Sequence, residues 1–232
     1  MATRLNVLER RFEGPLAQRL TAAASSMGIT LYFFWSGGIC HSSWRPTAHY
    51  RPLSLGHACG KIRGDGHPAQ EDGAPPVDPA GLGGIDLVLI THHHTDHMDP
   101  GTLAPLAQLH PDLRFVAPRA SRAEALKRTG ATNDRLIPVD AGQLIEPWPG
   151  LSIVALRAAH ETLETDIEGN QRFLGYALTF REEGRDVSII HSGDTIPFAG
   201  QGEEYRRARP DLLCCPSMDA RKRLPLAASP AI

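Results

Sequence analysis

Four of the eleven histidines fall within six residues, in the segment Thr91-His92-His93-His94-Thr95-Asp96-His97-Met98-Asp99. Neutral imidazole and carboxylate together suit Zn, Mn or Fe, whereas Ca and Mg take an all-oxygen shell. The same residues would be poor core filler, because every buried ring needs polar partners for its nitrogens. A solvated histidine-rich loop with incidental metal affinity is the competing explanation for any such triplet. Here the order His92-x-His94-x-Asp96-His97 follows directly on Ile85-Asp86-Leu87-Val88-Leu89-Ile90, which reads as a buried strand. Such a strand ends where a loop can hold side chains rigidly at a cleft. The placement favours a site for one or two divalent ions.

The elements that must position this loop can be traced along the chain. Pro15 and Gly28 bracket a helix over 16–27, and the β-branched and aromatic run 29–35 predicts a strand. After the histidines, Asp99 caps a helix through about Leu109, and Leu113–Ala117 predicts a strand stopped by Pro118. Ser121 to Thr129 predicts a helix with Ser121 and Glu124 as a capping box and Gly130 as terminator. Short strands follow at Leu136–Val139, Gln143–Glu146, Leu151–Leu156, Phe173–Phe180 and Val187–Ile190, then a helix near Gly202–Ala208 and a strand at Leu212–Cys215. Alternation of strand and helix in the middle, with a β-run later, favours two sheets covered outside by helices over one doubly wound sheet.

The histidine segment resembles the signature of the metallo-β-lactamase-fold hydrolases. Ala158-Ala159-His160-Glu161 is similar to that family's third-motif histidine, and His191-Ser192-Gly193-Asp194-Thr195 to its fourth motif. With Phe173-Leu174-Gly175-Tyr176 upstream, the combination is most similar to the branch that includes L-ascorbate-6-phosphate lactonase. The resemblance runs from about Pro76 to Pro216 and implies an α/β fold, a four-layer αββα sandwich with metals at one edge between the sheets.

Carried over by position, the resemblance implies one ion on His92, His94 and His160, and a second on Asp96 and His97, with Asp194 bridging. Zn or Mn is implied first, Fe also. A hydroxide nucleophile then opens a lactone or other ester-like carbonyl, with Asp96 orienting it and no covalent catalysis by Ser192 or a cysteine. His191 either orients a ligand, meets substrate or serves structurally, and His93 points away from the ions. Arg157 and Arg172 are candidates for a phosphate or carboxylate, or simply solvated cations. The implied partner is a small-molecule substrate such as a phosphorylated sugar lactone. The same ions would also serve a phosphodiesterase or phospholipase D-like hydrolase, and a metal-binding remnant without turnover is the third alternative.

Two stretches depart from the family's pattern. Residues 36–79 contain seven Gly and six Pro but only five of Val, Ile, Leu, Met and Phe, so neither strand nor helix periodicity is traceable there. His41, His49, His57 and His67 with Cys40 and Cys59 match no standard zinc module. Toward the end, the family's last histidine ligand has no counterpart, and 217–232 reads as a disordered basic tail around Arg221-Lys222-Arg223. The expectation is a single domain, incomplete at its C-terminus, with 36–75 and the tail arising from shifted frames or truncation. Resequencing the coding DNA tests this. Sheet edges exposed by a partly missing half would favour a homo-oligomer.

Composition narrows the remaining classes. At 232 residues, 41% hydrophobic and 22% charged, the chain has material for one real core. A net charge of −2 and a pI near 6.6 give no electrostatic reason to expect nucleic acid or a membrane surface. No run approaches the roughly 18–20 apolar residues that span a bilayer. Four cysteines, two of them adjacent, are too few for a disulfide scaffold and point to a cytoplasmic setting.

Overall fold

The computed structural model describes residues 85–182 and 184–215, together with the backbone of three earlier strands: β1 (Thr30–Tyr32), β2 (His41–Trp44) and β3 (Leu53–Gly56). The helix expected over 16–27 and the tail 217–232 lie outside the described residues. The elements that follow are β4 (Leu87–Leu89), α1 (Pro100–Leu109), β5 (Arg114–Pro118), α2 (Arg122–Thr129), β6 (Leu136–Val139), β7 (Leu144–Trp148), β8 (Leu151–Arg157), β9 (Leu174–Glu182), β10 (Arg185–His191), α3 (Gln201–Ala208) and β11 (Leu212–Cys214).

These strands form two sheets. One has six strands in the order β1-β2-β3-β4-β5-β6, and the other five in the order β11-β10-β9-β8-β7. In the first, β1, β2 and β3 pair antiparallel, and β3 to β6 run parallel. The second is antiparallel except for β10 with β11.

The period of two along each strand decides which layer a residue joins. Leu87 and Leu89 pack between the sheets with Val116 and Val139, against Ile153, Leu174, Tyr176, Leu178 and Ile189 of the second sheet. Val88, Ile90, Phe115 and Ala117 face outward instead, onto Leu103 and Leu106 of α1 and Ala125 of α2. On the far side, Leu156, Ala177 and Ile190 are covered by Tyr205 and Ala208 of α3. Helices thus flank two face-packed sheets, the αββα arrangement expected.

Three expectations need correction. Residues 36–79 show no strand periodicity in the sequence, yet β2 and β3 lie there and link β1 to β4. Each is only four residues long, and the single alternation in Leu53-Ser54-Leu55-Gly56 is too short to register as a period. The capping box of α2 does not form: the Ser121 side chain makes no cap bond. Glu124 pairs instead with Arg128 one turn on. Finally, the hairpin strands run longer than expected, β9 through Glu182 and β10 from Arg185, because their pairing continues past the apolar residues to the turn. Asp99 and Gly130 behave as expected. Asp99 accepts from Gly101 N and from Thr102 Oγ1, and Gly130 ends α2 at φ 65°. No helix among the described residues is long and apolar enough to cross a membrane.

Candidate metal centre

The site lies where β4, β8 and β10 end, at one rim of the two sheets. Two hydrogen bonds join the sheets there. Leu174 N donates to Thr91 O (2.9 Å), and the buried Tyr176 hydroxyl donates to Ile90 O (2.6 Å). Burial pushes the Tyr176 phenol well above its ordinary range, so the donor proton stays in place.

The loop after β4 is wound into a tight turn, with His97 N and Met98 N both donating to His94 O (3.0 and 2.8 Å). Met98 is fully buried in the outer core and pins the end of the turn. The Thr91 hydroxyl sits 3.0 Å from His92 Nδ1 and 3.2 Å from His97 Nδ1. With both rings protonated at Nδ1, its oxygen accepts from each and leaves Nε2 of both rings as the ligand nitrogen.

The exits of β8 and β10 are tied together. Ala159 N donates to Thr195 Oγ1 (2.9 Å), and Ile196 N donates to Ala159 O (2.7 Å), which fixes the backbone beside His160. Gly193 has φ 63°, and a Cβ there would stand 2.4 Å from Leu174 O. A Cβ on Gly175 would stand 2.8 Å from both His191 O and Ser192 O. The glycines of the two late motifs are therefore each other's requirement, since β9 and the end of β10 approach too closely for any side chain.

This scaffold brings the predicted residues together. Ligand atoms of His92, His94 and His160 lie within 4.8 Å of one another, as do those of His92, Asp96 and His97. Asp194 belongs to neither tight group but stands beside the second, its Oδ2 3.1 Å from His97 Nε2. Asp96 Oδ2 is 3.7 Å from the same nitrogen. His93 joins neither group, and its ring lies 5.0 Å from that of His94. His191 Nδ1 accepts from Gly193 N (3.1 Å), so this ring holds the loop that carries Asp194.

The electrostatics suit cation binding. Burial, then His160 and His93, lowers the pKa of His94, which keeps its lone pair available. Burial, then His97, brings His191 down to about 4. Burial alone would raise Asp194, but the His97 hydrogen bond and the rings of His97, His160 and His191 outweigh it and hold the carboxylate ionised. Clustered imidazoles beside two carboxylates are a donor set that fits Zn, Mn or Fe, and among the described residues no cysteine joins them.

Two residues within the quoted motifs carry supporting roles that the sequence does not assign. Phe173 is buried and packs on the rings of His92, His94 and His160 at 5.0, 5.5 and 5.3 Å, walling the cluster from the core. Thr91 heads the histidine segment in the sequence, where nothing marks its hydroxyl as a support for two of the rings. Of the two arginines considered for anions, Arg157 is engaged by Glu204 of α3 (3.0 Å), and Arg172 Nε donates to Thr165 O.

Comparison with known proteins decides the family. The pattern described as Beta-lactamase superfamily domain matches residues 63–226. The chain belongs to the metallo-β-lactamase superfamily. It is 27% identical over 157 residues to a UPF0173 metal-dependent hydrolase of Aeropyrum pernix, covering 61% of this chain and 60% of that protein. It is also 27% identical over 197 residues to the protein named probable L-ascorbate-6-phosphate lactonase UlaG of Shigella boydii, covering 77% of this chain and 55% of the relative. The chain thus spans little more than half the length of these relatives. Among solved structures, metallo-β-lactamase SMB-1 in complex with mercaptoacetic acid superposes with TM-score 0.44 at 17% identity, over 83% of this chain and 81% of that one.

Proposed function

We propose that this chain is a metal-dependent hydrolase that opens a lactone or similar ester carbonyl in a small molecule, with a phosphorylated sugar lactone as the substrate class. The observation that carries the reading is the convergence of His92, His94 and His160 from two separate strand exits onto one point, with Asp96 and His97 beside them. Divalent ions held there would supply Lewis acidity toward a carbonyl and lower the pKa of water to about 7.

The chain's own residues do the rest. His92, His94 and His160 would hold one ion, and Asp96, His97 and Asp194 a second. Asp96 is partly open to solvent and is the carboxylate we assign to orienting the attacking water by accepting its hydrogen bond. His191 keeps the Asp194 loop in register through Gly193 N. Phe173 screens the inner face of the cluster from other polar groups. The lactone preference is supported by the similarity to the lactonase-named relative and by the paired motifs Phe173-Leu174-Gly175-Tyr176 and His191-Ser192-Gly193-Asp194.

Elemental analysis of protein purified without chelator or added metal, with assays on sugar-phosphate lactones and bis-p-nitrophenyl phosphate, tests this. Bound metal with lactone opening is the expected result. Phosphodiester cleavage alone would replace the carbonyl reading with the phosphodiesterase one, and metal without either activity would identify a non-catalytic binder.

A further inference from the structure

We propose that Arg128, on α2, is a positioning residue of the metal centre, clamping both ends of the turn that carries His94, Asp96 and His97 and so setting the affinity for a divalent ion. The inference rests on the reading that this cluster holds metal. Arg128 Nη1 donates to His93 O (2.9 Å) and to Met98 O (3.2 Å), one carbonyl on each side of the turn. From inside, the backbone of the turn closes on His94 O, with the Thr91 hydroxyl facing the His92 and His97 rings. The guanidinium supplies the outer closure and joins two backbone points five residues apart.

The arginine is itself held fast. Its Nε donates to Glu124, and its side chain is largely buried. Helix α2 is anchored beneath it by the buried Ala125 and Thr129. A permanent cation this close to a site for dications is electrostatically costly, and the Glu124 carboxylate offsets it. A guanidinium fork bonding two carbonyls and a carboxylate together cannot be replaced by an ammonium point charge.

The molecule contains its own control. Arg135 makes the same kind of clamp, donating from Nε to Leu113 O, Nη1 to Ala107 O and Nη2 to His110 O. That turn joins α1 to β5 and carries no residue of the site. Removing either arginine should loosen a turn, but only Arg128 holds a turn that bears ligands.

Cobalt(II) titrated into chelator-stripped protein, followed by its visible absorption, reads affinity and ligand geometry without turnover. Arg128→Met should bind cobalt about 10–100-fold more weakly, the range found when groups supporting metal ligands are removed, with a changed absorption band. Arg128→Lys should fall between it and wild type. Arg135→Met should lower the melting temperature yet leave affinity and spectrum as in wild type. Cobalt binding by Arg128→Met equal to wild type, or an equal loss in Arg135→Met, would overturn the proposal. If Arg128→Met does not fold, Arg128→Lys decides: weaker than wild type supports the clamp, and equal affinity overturns it. Wild-type protein that binds no cobalt would end the metal-centre reading and this inference together, whereas wild-type binding with an unaltered Arg128→Met ends the inference alone.

Discussion

The exits of β4 and β10 both deliver residues to the same rim, and they are built by opposite means. The β4 exit packs four of the implied ligands into six residues and holds them with polar groups: a backbone turn on His94 O, the Thr91 hydroxyl on two rings, and the Arg128 guanidinium. The β10 exit supplies one carboxylate, Asp194, and is held chiefly by the absence of side chains. Gly193 lies under Leu174 O, and Gly175 lies under the carbonyls of His191 and Ser192. The first exit should therefore be damaged by removing atoms, and the second by adding them.

Removing a ligand should have the largest effect. His94→Ala takes one imidazole from the His92–His94–His160 group and leaves its partners splayed around a vacancy. Metal-dependent turnover should fall to the level of chelator-treated protein, and metal content should drop with it. Unchanged activity at full metal content would show that the β4 exit does not hold the working ion.

Adding one methyl group at the other exit should come next. Gly193→Ala places a Cβ 2.4 Å from a backbone oxygen at φ 63°, so both strain and overlap oppose it. Gly130→Ala offers a comparison at φ 65° with nothing within 4 Å, and it should cost only the left-handed penalty of about 1–2 kcal/mol. Gly193→Ala should cost clearly more, about 3 kcal/mol or beyond, since the overlap is with backbone that must shift. Denaturant unfolding of both variants makes the comparison, and equal losses would mean that the contact between β9 and the β10 exit is slack.

The same contrast explains what could be read from the sequence. His92, His94, Asp96 and His97 stand together in the chain, so their chemistry and the strand before them were legible at once. His160 and Asp194 are lone residues, and only resemblance picked them out, because the contacts that place them cross between strands: Ala159 with Thr195 and Ile196, Gly193 with Leu174. Arg128 gave no signal at all. On a helix of Arg, Glu and Lys it reads as an ordinary solvated cation near a C-terminus, and its bonds to carbonyls about 30 residues away follow from tertiary packing. The β8, β9 and β10 strands were legible in place because each holds a short apolar, partly β-branched run, such as Ile153-Val154-Ala155-Leu156 or Val187-Ser188-Ile189-Ile190, bounded by turn residues. Strands β2 and β3 were not, because His41-Ser42-Ser43-Trp44 and Leu53-Ser54-Leu55-Gly56 hold no β-branched residue and lie in a stretch rich in Gly and Pro.

A finer test of the polar exit is Thr91→Val, which keeps shape and removes the oxygen that both Nδ1 atoms face. The two rings lose a shared support, and affinity for cobalt should weaken about 10-fold, toward the lower end of the range for such supporting groups. The Thr91 side chain is fully buried, so loss of its oxygen should also show as a modest fall in melting temperature. Binding unchanged from wild type would assign the orientation of His92 and His97 to packing against Phe173 and the backbone turn instead.

The smallest effect concerns protons at the β10 exit in metal-free protein. Burial holds His191 at about 4 in the folded chain, against an ordinary value of 6.5 when unfolded. Between those values the unfolded chain takes up a proton that the folded chain refuses, so stability falls as pH drops from about 6.5 toward 4 and levels off below. His191→Asn removes this titration, and its stability should decline less steeply over that window. The same substitution keeps a polar side chain opposite Gly193 N, so stability at pH 7 should change less than it does across the acid limb. Parallel pH profiles for wild type and variant, measured by denaturant unfolding in chelator, would show that the acid sensitivity lies with the β4 exit, in the half-buried His94 and its neighbours, and not with the ring that supports Asp194.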